Sequence, residues 1–208
     1  MARSRRRARA IIGGVVVLGL AAGAGTVFWL DYHQARSNAE QKKVDTAKQK
    51  AAAGVEVTGV VTAVDGTSVT LRVKGKPRRL ITTRSTAVVK AAGGSGADVK
   101  LKTRGLLRLK AGSPGVAQEV LVLPLTTKIG LPIVKVGFGF VWLRTKDGRL
   151  APKVDMSRAA VEVGTPAPRT DIAAGDKVVA HAQTTLTKPV RFIATDIVLL
   201  PSSSAFVG

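Results

Sequence analysis

Basic side chains are the most concentrated chemical resource in this sequence. Arg72, Lys74, Arg78, Arg79 and Arg84 crowd one predicted hairpin, and Lys100, Lys102 and Arg104 lead into a later strand. Clustered guanidinium and ammonium groups bind anions such as phosphate, carboxylate or a polyanion. Residues 57–208 carry 23 basic and 9 acidic side chains, and 57–124 alone carry 12 against 3. Facing strands would merge the two clusters into one basic face. The plain alternative is a solvated surface that serves solubility. A second candidate is the run from Val136 to Trp142. In a strand, Phe138, Phe140 and Trp142 project to one face. They then either fill a core or form an exposed strip for a partner or a bilayer surface.

Catalysis has little to work with. The sequence holds no cysteine, which removes disulfides, thiolate metal sites and cysteine nucleophiles. The two histidines, His33 and His181, are too few for a multi-histidine metal site. Acids are few and scattered, and Asp65 and Asp147 sit in predicted turns. No phosphate-binding loop of the G-x-x-x-x-G-K-[ST] type and no G-x-S-x-G elbow is present. The expectation is a non-enzyme with no catalytic residue, no metal and no cofactor. His181 alternates with apolar residues and reads as structural. Nucleic acid is not expected as a partner, because residues 57–124 contain no aromatic side chain for stacking.

The elements that carry these residues follow a membrane signal. Residues 1–10 hold five arginines and no acid, and residues 11–30 then run twenty positions without a charge. Twenty helical residues span ~30 Å, the hydrocarbon thickness of a bilayer. The expectation is a cytoplasmic arginine-rich tail (1–10), an uncleaved single-pass transmembrane helix (11–30) and everything beyond it outside the cytoplasm. A cleaved signal peptide ending near Ala22-Gly23-Ala24 is the alternative. Residues 31–54 are rich in Ala, Gln, Lys and Glu and read as a solvated juxtamembrane helical stalk.

From Val55 the pattern becomes β-branched with period-two alternation. Asp65-Gly66 marks a tight hairpin. Short strands are predicted over 79–83, 87–90, 105–110 and 117–123. The pattern then repeats. Leu71-Arg72 matches Leu143-Arg144, and Ser85 matches Ser157, both 72 positions on; Asp98 matches Asp171. Each unit closes on an apolar run stopped by Pro124 or Pro201. So few short strands avoid exposed edges best by closing. The expected fold class is mainly β, with two small OB-like antiparallel barrels in tandem: 55–124 and 133–201, joined by a linker at 125–132 and followed by a tail at 202–208.

Gly59-Val60-Val61-Thr62-Ala63-Val64-Asp65-Gly66 with Val69-Thr70-Leu71 resembles the opening of the DUF5666 family of exported bacterial domains. Gly175-Asp176-Lys177-Val178-Val179 and the closing 197–201 run are similar to the same family. Thr103-Arg104-Gly105 departs from its Gly-Asp turn. The resemblance implies an exported OB-like domain and brings no catalytic residues. The abundance of Ala, Gly, Val and Arg looks like a high-GC actinobacterium. Two functions are expected. One is a membrane-anchored extracytoplasmic binding or scaffold protein of the cell envelope, with anionic lipids, wall polymers or an envelope protein complex as partner. The other is an adaptor subunit of a transport or secretion complex.

Overall fold

The structure, a computed structural model, describes residues 39–49, 51 and 53–207. Residues 39–49 form helix α1, and every residue of it is exposed. Gln41 Nε2 donates to Asp45 Oδ1 at 3.1 Å, one turn further on. Ala39, Val44 and Ala47 are too thin a stripe to bury, so a solvated helix is what the residues dictate.

Twelve strands carry the rest of the described chain. They are β1 (Val55–Asp65), β2 (Ser68–Val73), β3 (Lys76–Ile81), β4 (Ala87–Gly93), β5 (Thr103–Lys110), β6 (Ser113–Pro124), β7 (Leu131–Gly137), β8 (Phe140–Leu143), β9 (Val154–Asp155), β10 (Ala160–Pro166), β11 (Lys177–Thr184) and β12 (Phe192–Leu200). Barrel one runs β11-β1-β2-β3-β12 and closes where β12 pairs β11. Barrel two runs β6-β5-β7-β8-β9 and closes where β9 pairs β6. Strands β4 and β10 join them. β12 runs parallel to β4, β4 antiparallel to β10, and β10 parallel to β6.

The internal repeat is present in the registers. Val61 faces Leu71 across β1–β2, and Ile133 faces Leu143 across β7–β8, each 72 residues further on. Both hairpins slip register at the next position. Ile193 pairs Ile81 where β12 runs beside β3, and Val116 pairs Asp155 where β6 runs beside β9. Strands β1 to β6 thus correspond to β7 to β12. A pseudo-twofold axis passes where β4 meets its own counterpart β10, at Ala91 and Gly164.

The barrels are not in tandem, however. Each takes its three-stranded meander from one repeat and its closing hairpin from the other. Neither 55–124 nor 133–201 makes a barrel alone. The connection between Pro124 and Leu131 explains this. It is short, so β7 must land beside the nearest strand end, which belongs to β5 of the first repeat. The β11–β12 hairpin then completes the meander left open at the start of the chain.

The expected fold class is therefore corrected on three counts. Among the described residues the one α-helix is short and polar, and no helix is long and apolar enough to cross a membrane. Residues 1–10 and 11–30, and the start of the 31–54 stalk, lie outside the described residues. The barrels interleave, and each carries a parallel seam rather than antiparallel pairs throughout.

Three apolar clusters follow from this layout. Val57, Val61, Val69, Leu71, Leu80 and Ile197 lie among those filling barrel one. Val120, Val122, Ile133, Val141 and Val161 help fill barrel two. Val89, Leu121, Leu123, Ile129, Val179 and Val198 form a third layer between them. Each fully buried Leu or Val contributes ~1.5–3 kcal/mol. At the axis the side chains of the neighbouring strands β4 and β6 crowd Gly164. A Cβ on Gly164 would lie 2.5 Å from Val89 Cγ1 and 2.7 Å from Leu123 Cδ2.

Candidate functional site

The predicted basic residues divide between the barrels. Arg72 and Lys74 are exposed around the β2–β3 turn. Arg78 lies over the Phe192 ring, 4.7 Å from its centroid, and so caps barrel one. Arg79 is held: its Nη2 lies 3.0 Å from Asp65 Oδ2, and its Nε donates to Ser68 Oγ at 2.8 Å. Ser68 and Thr67 also donate to the Asp65 carboxyl. These hydrogen bonds, Ser68 first, hold it down at about 2. Arg84 is exposed in the turn before β4.

The second cluster belongs to barrel two. Lys100 and Lys102 are exposed in the turn before β5. Arg104 departs from the expected exposed cation. Its guanidinium is half-buried, and it donates from Nε to Ile129 O at 2.9 Å and from Nη2 to Gly130 O. Burial lowers its pKa, and Glu56 and Asp196 oppose that shift. Arg104 thus braces the 125–130 connection. The clusters lie on different barrels, so pairing between facing strands does not merge them as expected.

The aromatic run is likewise resolved differently. Phe138 is not in a strand. It occupies the β7–β8 turn, fully exposed, beside Gly139 at φ +77°. That left-handed φ favours glycine, and it lets the hairpin turn in two residues. Val141 and Leu143 point into barrel two, so Phe140 and Trp142 fall on its outer face by strand alternation. Their ring centroids are 6.4 Å apart. Lys153 Nζ lies 4.7 Å from the Phe140 centroid, and Lys135 Nζ lies 4.8 Å from that of Trp142. The equivalent turn of repeat one is Gly66-Thr67, so the aromatic tip belongs to barrel two alone.

Barrel two also has an opening that sequence reasoning missed. In barrel one, β1 pairs β11 over Val55–Val60. The equivalent β5–β7 ladder holds only Arg104–Pro132 and Gly105–Leu131. Among the described residues no strand covers the outer edge of β5 from Leu106 to Lys110. A cleft of about 550 Å³ opens there, lined by Leu106, Leu107, Leu109, Leu131, Leu143 and Val154, with Glu56 and Lys146 also at its walls.

Two buried carboxylates lie where β6 meets β10. Glu119 accepts hydrogen bonds from Ser204 Oγ and from the Ala205 amide at 2.8 Å. It thereby anchors the 202–207 tail. Burial, and then the adjacent Glu119 charge, push Glu162 up to about 7. His181 is buried, with Nδ1 2.8 Å from Thr195 Oγ1 and Nε2 3.1 Å from the Ala53 carbonyl, as a structural histidine should be. Among the described residues no three His, Asp or Glu side chains gather to hold a metal. No protein-family model matches the chain, and no curated protein or solved structure matches it either.

Proposed function

We propose that the interleaved barrels form a binding module of the cell envelope that engages anionic surfaces outside the cytoplasm. The placement follows from the sequence, in which five arginines precede twenty uncharged residues. The carrying observation is the β7–β8 tip. A fully exposed phenylalanine occupies the turn, and the two outward aromatic rings of β8 each carry a lysine at one face. Aromatic rings favour the interfacial layer of a bilayer, and lysines there gain from anionic headgroups. Residues 57–208, with 23 basic and 9 acidic side chains, supply a general attraction to anionic surfaces.

The test uses the full chain in a mild non-ionic detergent. Its binding to nanodiscs of phosphatidylglycerol is compared with binding to nanodiscs of phosphatidylcholine. Binding should favour the anionic discs and fall steeply at ~0.5 M salt, where screening contracts to roughly half its physiological range. The triple variant Phe138→Ser, Lys135→Ser, Lys153→Ser should bind at least tenfold more weakly. Equal binding by the triple variant would leave the tip without this role.

A further inference from the structure

The open edge of β5 has an internal template for its occupant. By register, Gly105 corresponds to Val178 and Leu109 to Ala182, because Gly105 pairs Val122 as Val178 pairs Leu199. In barrel one the stretch from Val179 to Ala182 is covered by Thr58 back to Val55, running antiparallel. Barrel two lacks that half-strand. The residues before Leu131 are used to cross the end of β5, where Arg104 holds the Ile129 and Gly130 carbonyls. What remains is an unroofed strand edge above an apolar floor, with Leu109 41% exposed at its mouth.

We infer that this edge accepts one extended segment of a partner protein, which adds to β5 as an antiparallel strand and completes barrel two. Strand addition draws affinity from main-chain hydrogen bonds and specificity from alternate side chains. The inward side chains of the guest must be apolar, as Val57 is in barrel one. Its outward side chains meet Arg108, Lys110 and Lys146, so acids fit there. A second copy of this chain does not. Antiparallel pairing of two β5 edges would set cations against cations, which destabilises a ladder. The inference goes beyond lipid binding and does not depend on it.

The probe is the chain's own template, a hexapeptide copy of residues 55–60 (Val-Glu-Val-Thr-Gly-Val), added to the full chain in detergent. Hydrogen exchange at Leu106–Leu109 should slow at least tenfold at saturating peptide. The same peptide with Lys for Glu should bind at least tenfold more weakly. Leu109→Pro removes an edge amide, and Leu109→Asp places a carboxylate in the cleft. Both should lose the protection while keeping barrel one protected and phosphatidylglycerol binding intact. No protection at millimolar peptide would mean that Arg108 and Lys110 merely blunt the edge, and the inference would fall. Equal binding of the lysine peptide would overturn the acidic preference. Failure of nanodisc binding alone would count against the lipid reading and leave this one standing.

Discussion

The two barrels share strand order and even a bulge, yet the β1–β11 seam of one is long and the equivalent β5–β7 seam of the other is short. β1 enters barrel one as a long strand and pairs β11 from Val55 onward. β7 enters barrel two after a turn and meets β5 over two residues. The cause lies outside both barrels. β6 ends at Pro124 against Thr103, on one side of β5, and Leu131 must start on the other side. The chain between has only enough length to round the strand end. A short connection thus dictates both the exchange of hairpins and the gap that the exchange leaves.

Removing a repeat should break the comparison most completely. Residues 55–124 alone lack β11 and β12, so no folded monomer is expected. Sedimentation and amide dispersion should show either an unfolded chain or a dimer exchanging β5–β6 hairpins. A folded monomer would refute the interleaved closure.

Core truncation should separate the barrels next. Leu71 is fully buried in the sealed barrel, and Leu71→Ala should cost ~3–5 kcal/mol by denaturant titration. Leu131 is half-buried beside the open seam, and Leu131→Ala should cost less than about 2 kcal/mol. Equal costs would mean the seam is as tight as its counterpart.

A pH titration probes the joints. Glu162 lies on barrel two's side, and the equivalent position beside barrel one is Val89. A carboxyl raised from 4.5 to about 7 binds its proton more tightly in the folded chain than in the unfolded one. Glu162 should therefore contribute a decline in stability between about pH 4.5 and about 7, its stabilising contribution being fully present below that window. Glu162→Val, which copies barrel one, should flatten it. An unchanged profile would assign the pH dependence to other groups. The smallest effect on folding is expected at the tip. Phe138→Ser should leave stability within about 0.5 kcal/mol, measured by thermal unfolding, because a fully exposed ring packs on nothing.

Much of this was legible in the residues. The Asp65-Gly66 turn, the alternation of Val69 and Leu71, the 72-residue offset and the proline stops all describe local geometry, which neighbours in sequence determine. Asp98 and Asp171 both close short 3-10 turns, in line with the expected match. Ser85 and Ser157 slip by one: the strands after them align Ala87 with Ala160. Strand partners were not legible, because alternation reveals a strand's two faces and says nothing about its neighbours. The same limit hid the open edge of β5. Phe138 was misplaced because Gly-Phe-Gly-Phe alternates like a strand even where it turns. Arg104 looked like its neighbouring cations, and only the path of residues 125–130 makes it a brace.

The exchange of hairpins also sets a timetable. Val55 finds its partner only when Ala182 exists, and β3 its second neighbour only when Phe192 exists. At ordinary synthesis rates the first meander waits on the order of ten seconds for its closing strands. Through that interval the apolar faces of β1 to β3 have no mate, and the chain cannot lock into its final form from the front. The connectivity itself therefore keeps the chain unlocked until its last hairpin has been made.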